Sequence, residues 1–220
     1  MEKNWTQSKE VHFDHKGALQ MNEVAKTVFA PIYLVIARNA LSVTGISRGI
    51  GLDLGSGPGM LAMAVAREAP EMTVISFDFS GAARAIAREN IEEAGLAARV
   101  QLAEGDVHAM PFADEYATLI VSRGSLFFWE DLKGAFSEIL RVLAPGGATY
   151  IGGGFGNREL REQVIAEMLK RDPTWDCYAK KKAKGDDIDR FDVMFKELGC
   201  TTFRIIDDET GFWIVLSKPV

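Results

Sequence analysis

At 220 residues and 47% hydrophobic, the chain can bury a full core and is too apolar to be a disordered segment. Its net charge of −6, with acidic and basic residues interspersed, argues against a nucleic-acid-binding face as its main business. Two cysteines, Cys177 and Cys200, give neither a disulfide framework nor a zinc-ligand spacing.

Residues 1–20 are mixed in character and read as a partly mobile arm. They include Glu2, Lys3, Lys9 and Glu10 and show no apolar core of a signal peptide. No stretch reaches the roughly 20 apolar residues of a membrane span. With so few cysteines, the default setting is a reducing cytoplasm.

Residues 22–30 and 31–41 read as two helices meeting at Pro31, a residue suited to a first helical turn. From there strands and helices alternate: strand 50–54, helix 59–69, strand 73–77, helix 80–94, strands 99–104 and 117–122, helix 131–143, strand 147–152. Such alternation predicts a parallel sheet with right-handed crossovers. Gly95 suits a C-cap, and Pro145-Gly146-Gly147 reads as a turn before the fifth strand.

After Gly154 the pattern changes. A helix over 158–170 is broken by Asp172-Pro173, and a second over 186–198 ends at Gly199. Between them Lys180–Lys182 and Lys184 meet Asp186, Asp187 and Asp189, which reads as a solvated face. Residues 201–207 and 212–217 read as a hairpin. No linker interrupts the chain, so the expectation is one domain over 1–220, with an N-terminal helical cap (1–45) and a helical insertion (155–188).

The run Gly51-Leu-Asp53-Leu-Gly55-Ser56-Gly57-Pro-Gly59 is a buried strand entering a glycine turn, and an alanine-rich helix follows. Alternating glycines permit positive φ and let a ligand approach the main chain, and the helix N-terminus presents amide donors to it. A dinucleotide fingerprint would place its third glycine at position 60, which is Met here. Asp53 would repel a pyrophosphate and suits a ligand with a cationic end, such as an ammonium. Asp78 stands at the tip of the next strand, placed to accept from ribose hydroxyls. Together these residues point to a nucleoside carrying an amino acid.

The chain resembles class I S-adenosylmethionine (SAM)-dependent methyltransferases, and is similar to the branch that acts in ubiquinone and menaquinone biosynthesis. The resemblance is carried by Asp53–Gly59, Asp78-Phe79-Ser80, Glu104-Gly-Asp106-Val107-His108-Ala-Met-Pro-Phe112, Ala117–Ser122 and Leu140-Arg-Val-Leu-Ala-Pro-Gly-Gly147, in family order. It is strong over about 45–155. The stretches 122–131 and 152–160 are similar to small members of unknown substrate. The resemblance implies a Rossmann-like α/β fold: a doubly wound, mostly parallel seven-stranded sheet with an antiparallel last strand and helices on both faces. The N-terminal helices and the insertion would form a lid over the strand ends.

The resemblance also implies the site. Gly55, Ser56, Gly57 and Gly59 would cradle the methionine part of SAM, and Asp53 would hold its ammonium. Asp78 would take the ribose, with helix capping by Asp78 or Ser80 as the competing role. Phe79 would pack on the adenine. Asp106 would accept from the adenine amino group and the Val107 amide would reach a ring nitrogen, with His108 beside them. Ser122 and Arg123 end the fourth strand, and arginine there is unusual for the family. Its guanidinium suits a carboxylate or phosphate, of SAM or of an acidic substrate, or a pairing with Asp53, Asp106 or another site carboxylate.

Phe127, Phe128 and Trp129 form an aromatic cluster, with Phe128 and Trp129 assigned to the acceptor together with Tyr33. His15, Tyr33 and Arg123 are the candidates for a catalytic role. No metal is expected. The expected partner is a small-molecule acceptor, with no nucleic acid or membrane, acting on a monomer or homodimer and yielding S-adenosylhomocysteine. The competing functions are a SAM-binding hydrolase, lyase or aminocarboxypropyl transferase, and a SAM-responsive binding protein without turnover.

Overall fold

Parallel strands buried on both faces need near-continuous apolar runs, and the middle of this chain supplies them. A computed structural model describes residues 14–176 and 188–220. Strands β1 (Arg48–Leu54), β2 (Glu71–Asp78), β3 (Val100–Glu104), β4 (Ala117–Arg123), β5 (Leu143–Gly154), β6 (Phe203–Asp208) and β7 (Gly211–Leu216) form one sheet. Their order is β3-β2-β1-β4-β5-β7-β6. β1 to β5 pair in parallel, and β7 runs antiparallel between β5 and β6. The expected Rossmann-like sheet with an antiparallel last strand is therefore present.

Helices cover both faces. On one lie α1 (His15–Thr27), α2 (Ala30–Thr44), α3 (Met60–Glu68) and α4 (Gly81–Glu93), together with α6 (Arg158–Arg171). Small side chains let α3 approach the sheet closely: Leu61, Ala62, Met63, Ala64, Val65 and Ala66 are all buried. On the other face lie α5 (Leu132–Val142) and α7 (Ile188–Glu197). α5 buries Leu132, Ala135, Phe136, Ile139 and Val142, the one-face spacing of an amphipathic helix. A fully buried side chain such as Phe136 contributes roughly 1.5–3 kcal/mol.

Two elements begin earlier than the sequence pattern implied. α1 starts at His15, inside the stretch expected to be mobile, because the Asp14 carboxylate caps it by accepting from the Gly17 amide at 2.6 Å. β5 starts at Leu143, so Pro145–Gly147 lies within the strand, beside an irregularity in the pairing between Ala117 and Leu119. Glycine is required at 147: a Cβ there would sit 2.8 Å from the Ala144 carbonyl oxygen. Cys177, the Lys180–Lys184 run and residues 177–187 of the expected insertion lie outside the described residues. No single helix among the described residues is long and apolar enough to cross a membrane.

Candidate functional site

The strand order reverses between β1 and β4, and the C-terminal ends of these strands mark the switch point at which open α/β sheets bind ligands. The glycine turn leaves β1 there. It is pinned to β2 because the Gly55 and Ser56 amides both donate to the Phe77 carbonyl, at 2.9 and 3.1 Å. Gly55, Gly57 and Gly59 all have positive φ. A Cβ on Gly57 would meet no atom within 4 Å, so the turn's backbone is open to a ligand at that point.

Asp53 is buried, and one of its oxygens accepts from the Ala62 amide in the first turn of α3 at 2.9 Å. Helix α3 has glycine at its N-cap and no side-chain cap of its own, so this strand carboxylate serves one of its open amides. Burial pushes the Asp53 carboxyl up to about 8, the Ala62 bond opposes this, and the charge of Asp78 adds to it. A carboxyl held so far above its ordinary range would be returned to its charged form by an adjacent cation.

Asp78 is buried as well. Its Oδ2 accepts from the Gly57 amide at 2.8 Å and its Oδ1 from the Ser80 amide at 2.9 Å. Desolvation raises its carboxyl, while those amide bonds and the Arg84 guanidinium oppose the shift. Of the two competing caps, Ser80 takes the role: its hydroxyl accepts from the Ala83 amide at the start of α4. Phe79 projects beyond the strand tip with 53% of its surface exposed, where core packing would have buried it. Below the turn, the Ser56 and Ser76 hydroxyls are 2.7 Å apart.

Beyond β3, the Asp106 carboxylate accepts from the His108 amide at 2.9 Å and lies 2.6 Å from His108 Nδ1. The His108 Nε2 is buried with no partner, and Val107 is buried. Both Ser122 and Ser125 hydroxyls donate to the Leu54 carbonyl, tying the end of β4 to the start of the glycine turn. Ser125 also fills the space a side chain at Gly55 would need.

Arg123 pairs with neither Asp53 nor Asp106, contrary to one expectation. Its Nε donates to the Gly154 carbonyl at 3.2 Å. Its guanidinium lies 4.6 Å from the ring centre of Phe29, 5.6 Å from Phe155 and 5.8 Å from Tyr33. Desolvation lowers its pKa, and the neighbouring Tyr33 opposes the shift. Tyr33 is buried, which raises its hydroxyl. Phe29 and Phe155 lie far apart in the chain, so nothing in the sequence brings them to Arg123.

The aromatic cluster divides. Phe128 is exposed, and Phe127 lies against Gly153. Trp129, expected beside the acceptor, is instead buried edge-on against Phe136 with ring centres 5.9 Å apart, because the short 3-10 turn Leu126–Phe128 directs it into the α5 layer. His15 is an exposed residue in the first turn of α1. No group of three or more His, Cys, Asp or Glu suited to a metal occurs among the described residues.

The helical cap is tied to the site. Asn90 donates to the Pro58 carbonyl and to Asn22 of α1, both at 2.9 Å, linking the glycine turn to the cap. Asn39 of α2 donates to the Gly156 carbonyl at 2.8 Å. Arg171 of α6 pairs with Glu23 of α1 at 2.7 Å. Asn157, within the glycine-rich stretch after β5, caps α6 by accepting from the Leu160 amide.

Residues 52–151 match the family model described as a methyltransferase domain. The chain is 38% identical over 96 residues to a demethylmenaquinone methyltransferase of Thermus thermophilus, covering 44% of this chain and 43% of that one. It is 30% identical over 150 residues to the ubiquinone/menaquinone biosynthesis C-methyltransferase UbiE of Serratia proteamaculans, covering 67% and 56% of the two chains. It spans about half the length of the curated relatives it matches. A solved structure from Methanococcus maripaludis, described as a candidate S-adenosyl-L-methionine-dependent methyltransferase, superposes with a TM-score of 0.89 and 45% identity, covering 100% of this chain and 98% of that one.

Proposed function

The chain belongs to the class I SAM-dependent methyltransferases, and on that premise we propose that it transfers the methyl group of SAM to a small-molecule acceptor. The observation that carries this reading is the pair of buried carboxylates at the switch point. Asp53 is set for a cationic group against the N-terminus of α3, and Asp78 is set beside the open backbone of Gly57.

The residues present fit the cofactor. Asp53 receives the ammonium, and Gly55, Ser56, Gly57 and Gly59 carry the methionine portion along the turn. Asp78 accepts from the ribose hydroxyls through the lone pairs its amide bonds leave unused. Phe79 offers an exposed ring to the adenine. Asp106 and the Val107 amide face the adenine edge, with His108 holding the Asp106 carboxylate in place. SAM supplies a methyl group already activated on a sulfonium.

The chain's own contribution is then alignment and exclusion of water, and positioning of this kind supplies about 7–11 kcal/mol. Tyr33, Arg123 and Phe128 sit on the acceptor side, and the acceptor approaches in line with the methyl group. The α1–α2 cap and α6, clasped by Glu23 and Arg171, cover the strand ends as a lid. The whole chain acts as one methyltransferase domain in the cytoplasm.

The test is incubation of the purified chain with methyl-labelled SAM and a metabolite extract of its source cells, read by mass spectrometry. A labelled new species together with S-adenosylhomocysteine is the expected result. SAM consumed without label reaching an acceptor supports a hydrolase or lyase on the same fold instead, and intact SAM contradicts turnover.

A further inference from the structure

Arg123 is a mostly enclosed cation with no carboxylate beside it among the described residues. Its Nε is used by the Gly154 carbonyl, the Tyr33 hydroxyl stands as a hydrogen-bond partner to its guanidinium, and the Phe29, Tyr33 and Phe155 rings pack around it. Ring faces and one neutral hydroxyl attract a guanidinium but do not satisfy the planar fork of its terminal nitrogens, which is matched to a carboxylate or phosphate. Burying a charge without a paired anion is costly. A fold that keeps such a group at the C-terminal end of β4 has a reason outside its own packing.

Position distinguishes two sources for the missing anion. The glycine turn and Asp78 follow β1 and β2, on one side of the switch point. Arg123 ends β4 and bonds to the last residue of β5, on the other side. Tyr33 of α2 stands on that same side, its ring centre 5.8 Å from the guanidinium.

We propose that Arg123, caged by Phe29, Tyr33 and Phe155, receives a carboxylate or phosphate carried by the methyl acceptor, so that the acceptor is an anionic small molecule. This rests on the methyltransferase reading above. The buried Asp78 would repel an acidic acceptor, and Arg123 is the cation that offsets it on the acceptor side. The aromatic cage further suits an anion borne on a flat, apolar body.

The experiment is calorimetric titration of the full chain, saturated with S-adenosylhomocysteine, with benzoate, phenyl phosphate and benzamide. The expected result is that benzoate or phenyl phosphate binds at least tenfold more tightly than benzamide. Arg123→Gln should abolish that preference while the S-adenosylhomocysteine dissociation constant stays within threefold. Arg123→Lys, which keeps the charge without the fork, should retain part of the preference, and this comparison decides the matter if the Gln variant does not fold.

Equal binding of the three probes by the native chain overturns the proposal, as does an anion preference that survives Arg123→Gln. A tenfold or greater loss of S-adenosylhomocysteine affinity in a folded Arg123→Gln assigns the guanidinium to the cofactor's own carboxylate and overturns it too. Failure of the native chain to bind S-adenosylhomocysteine at all is instead a failure of the methyltransferase reading. The anion preference is then measured on the free chain and judged by the same criterion.

Discussion

Asp78 reaches from the tip of β2 to the glycine turn and accepts from the Gly57 amide at 2.8 Å. The same carboxylate therefore shapes the loop under the methionine end of the cofactor and stands ready for its ribose. The Ser80 amide fixes its second oxygen, so the side chain has little freedom to swing away.

Asp78→Ala should weaken SAM binding by about 1.5–3 kcal/mol, because it removes charge-assisted hydrogen bonds. Titration calorimetry with S-adenosylhomocysteine measures this, and circular dichroism confirms folding. Unchanged affinity in a folded variant would falsify the ribose assignment.

Asp53 makes cofactor binding pH-dependent. Its carboxyl is pushed up to about 8 in the folded free chain, above the ordinary value of 3.8. Between those values the folded state holds a proton that the unfolded state has released. This group's contribution to stability is therefore full below about pH 4 and declines as pH rises toward 8. A cationic ammonium beside it favours the charged form, so binding expels the proton. Affinity for S-adenosylhomocysteine should rise with pH between 5.5 and 7.5, by up to about tenfold per unit. In Asp53→Asn the slope should vanish and the affinity should fall. A slope that persists in the variant would assign the titration to another group.

Phe79 separates packing from binding. Its exposure means that Phe79→Ala should leave the melting temperature nearly unchanged. It should weaken S-adenosylhomocysteine binding by roughly 0.5–1.5 kcal/mol through loss of the aromatic contact with adenine. The opposite outcome, lost stability with full affinity, would return Phe79 to the core.

The architecture was legible wherever a local signal set it. An apolar run bounded by glycine marked β1, the alternation of short strand and helix patterns marked β2 to β5, and the alanine-rich stretch behind the turn marked α3. Boundaries shifted where a single side chain decided them, as at Asp14, or where a glycine allowed close backbone approach, as at Gly147. The cofactor half of the site follows consecutive motifs at strand ends, so Asp53, Gly57 and Asp78 could be named in advance.

The acceptor half draws on residues distant in the chain. Phe29 at the α1–α2 corner and Phe155 after β5 meet at Arg123 only through the tertiary fold. Trp129 shows the same limit from the other direction, since three adjacent aromatic residues do not reveal which of them turns into the core.

The most direct test of the central claim is a crystal structure of the chain with S-adenosylhomocysteine. The account predicts the ammonium at Asp53, the ribose hydroxyls on Asp78 and the adenine against Phe79, with Arg123 making no contact to the cofactor's carboxylate. Binding elsewhere, or a nucleoside that leaves Asp78 without a ribose contact, would contradict it.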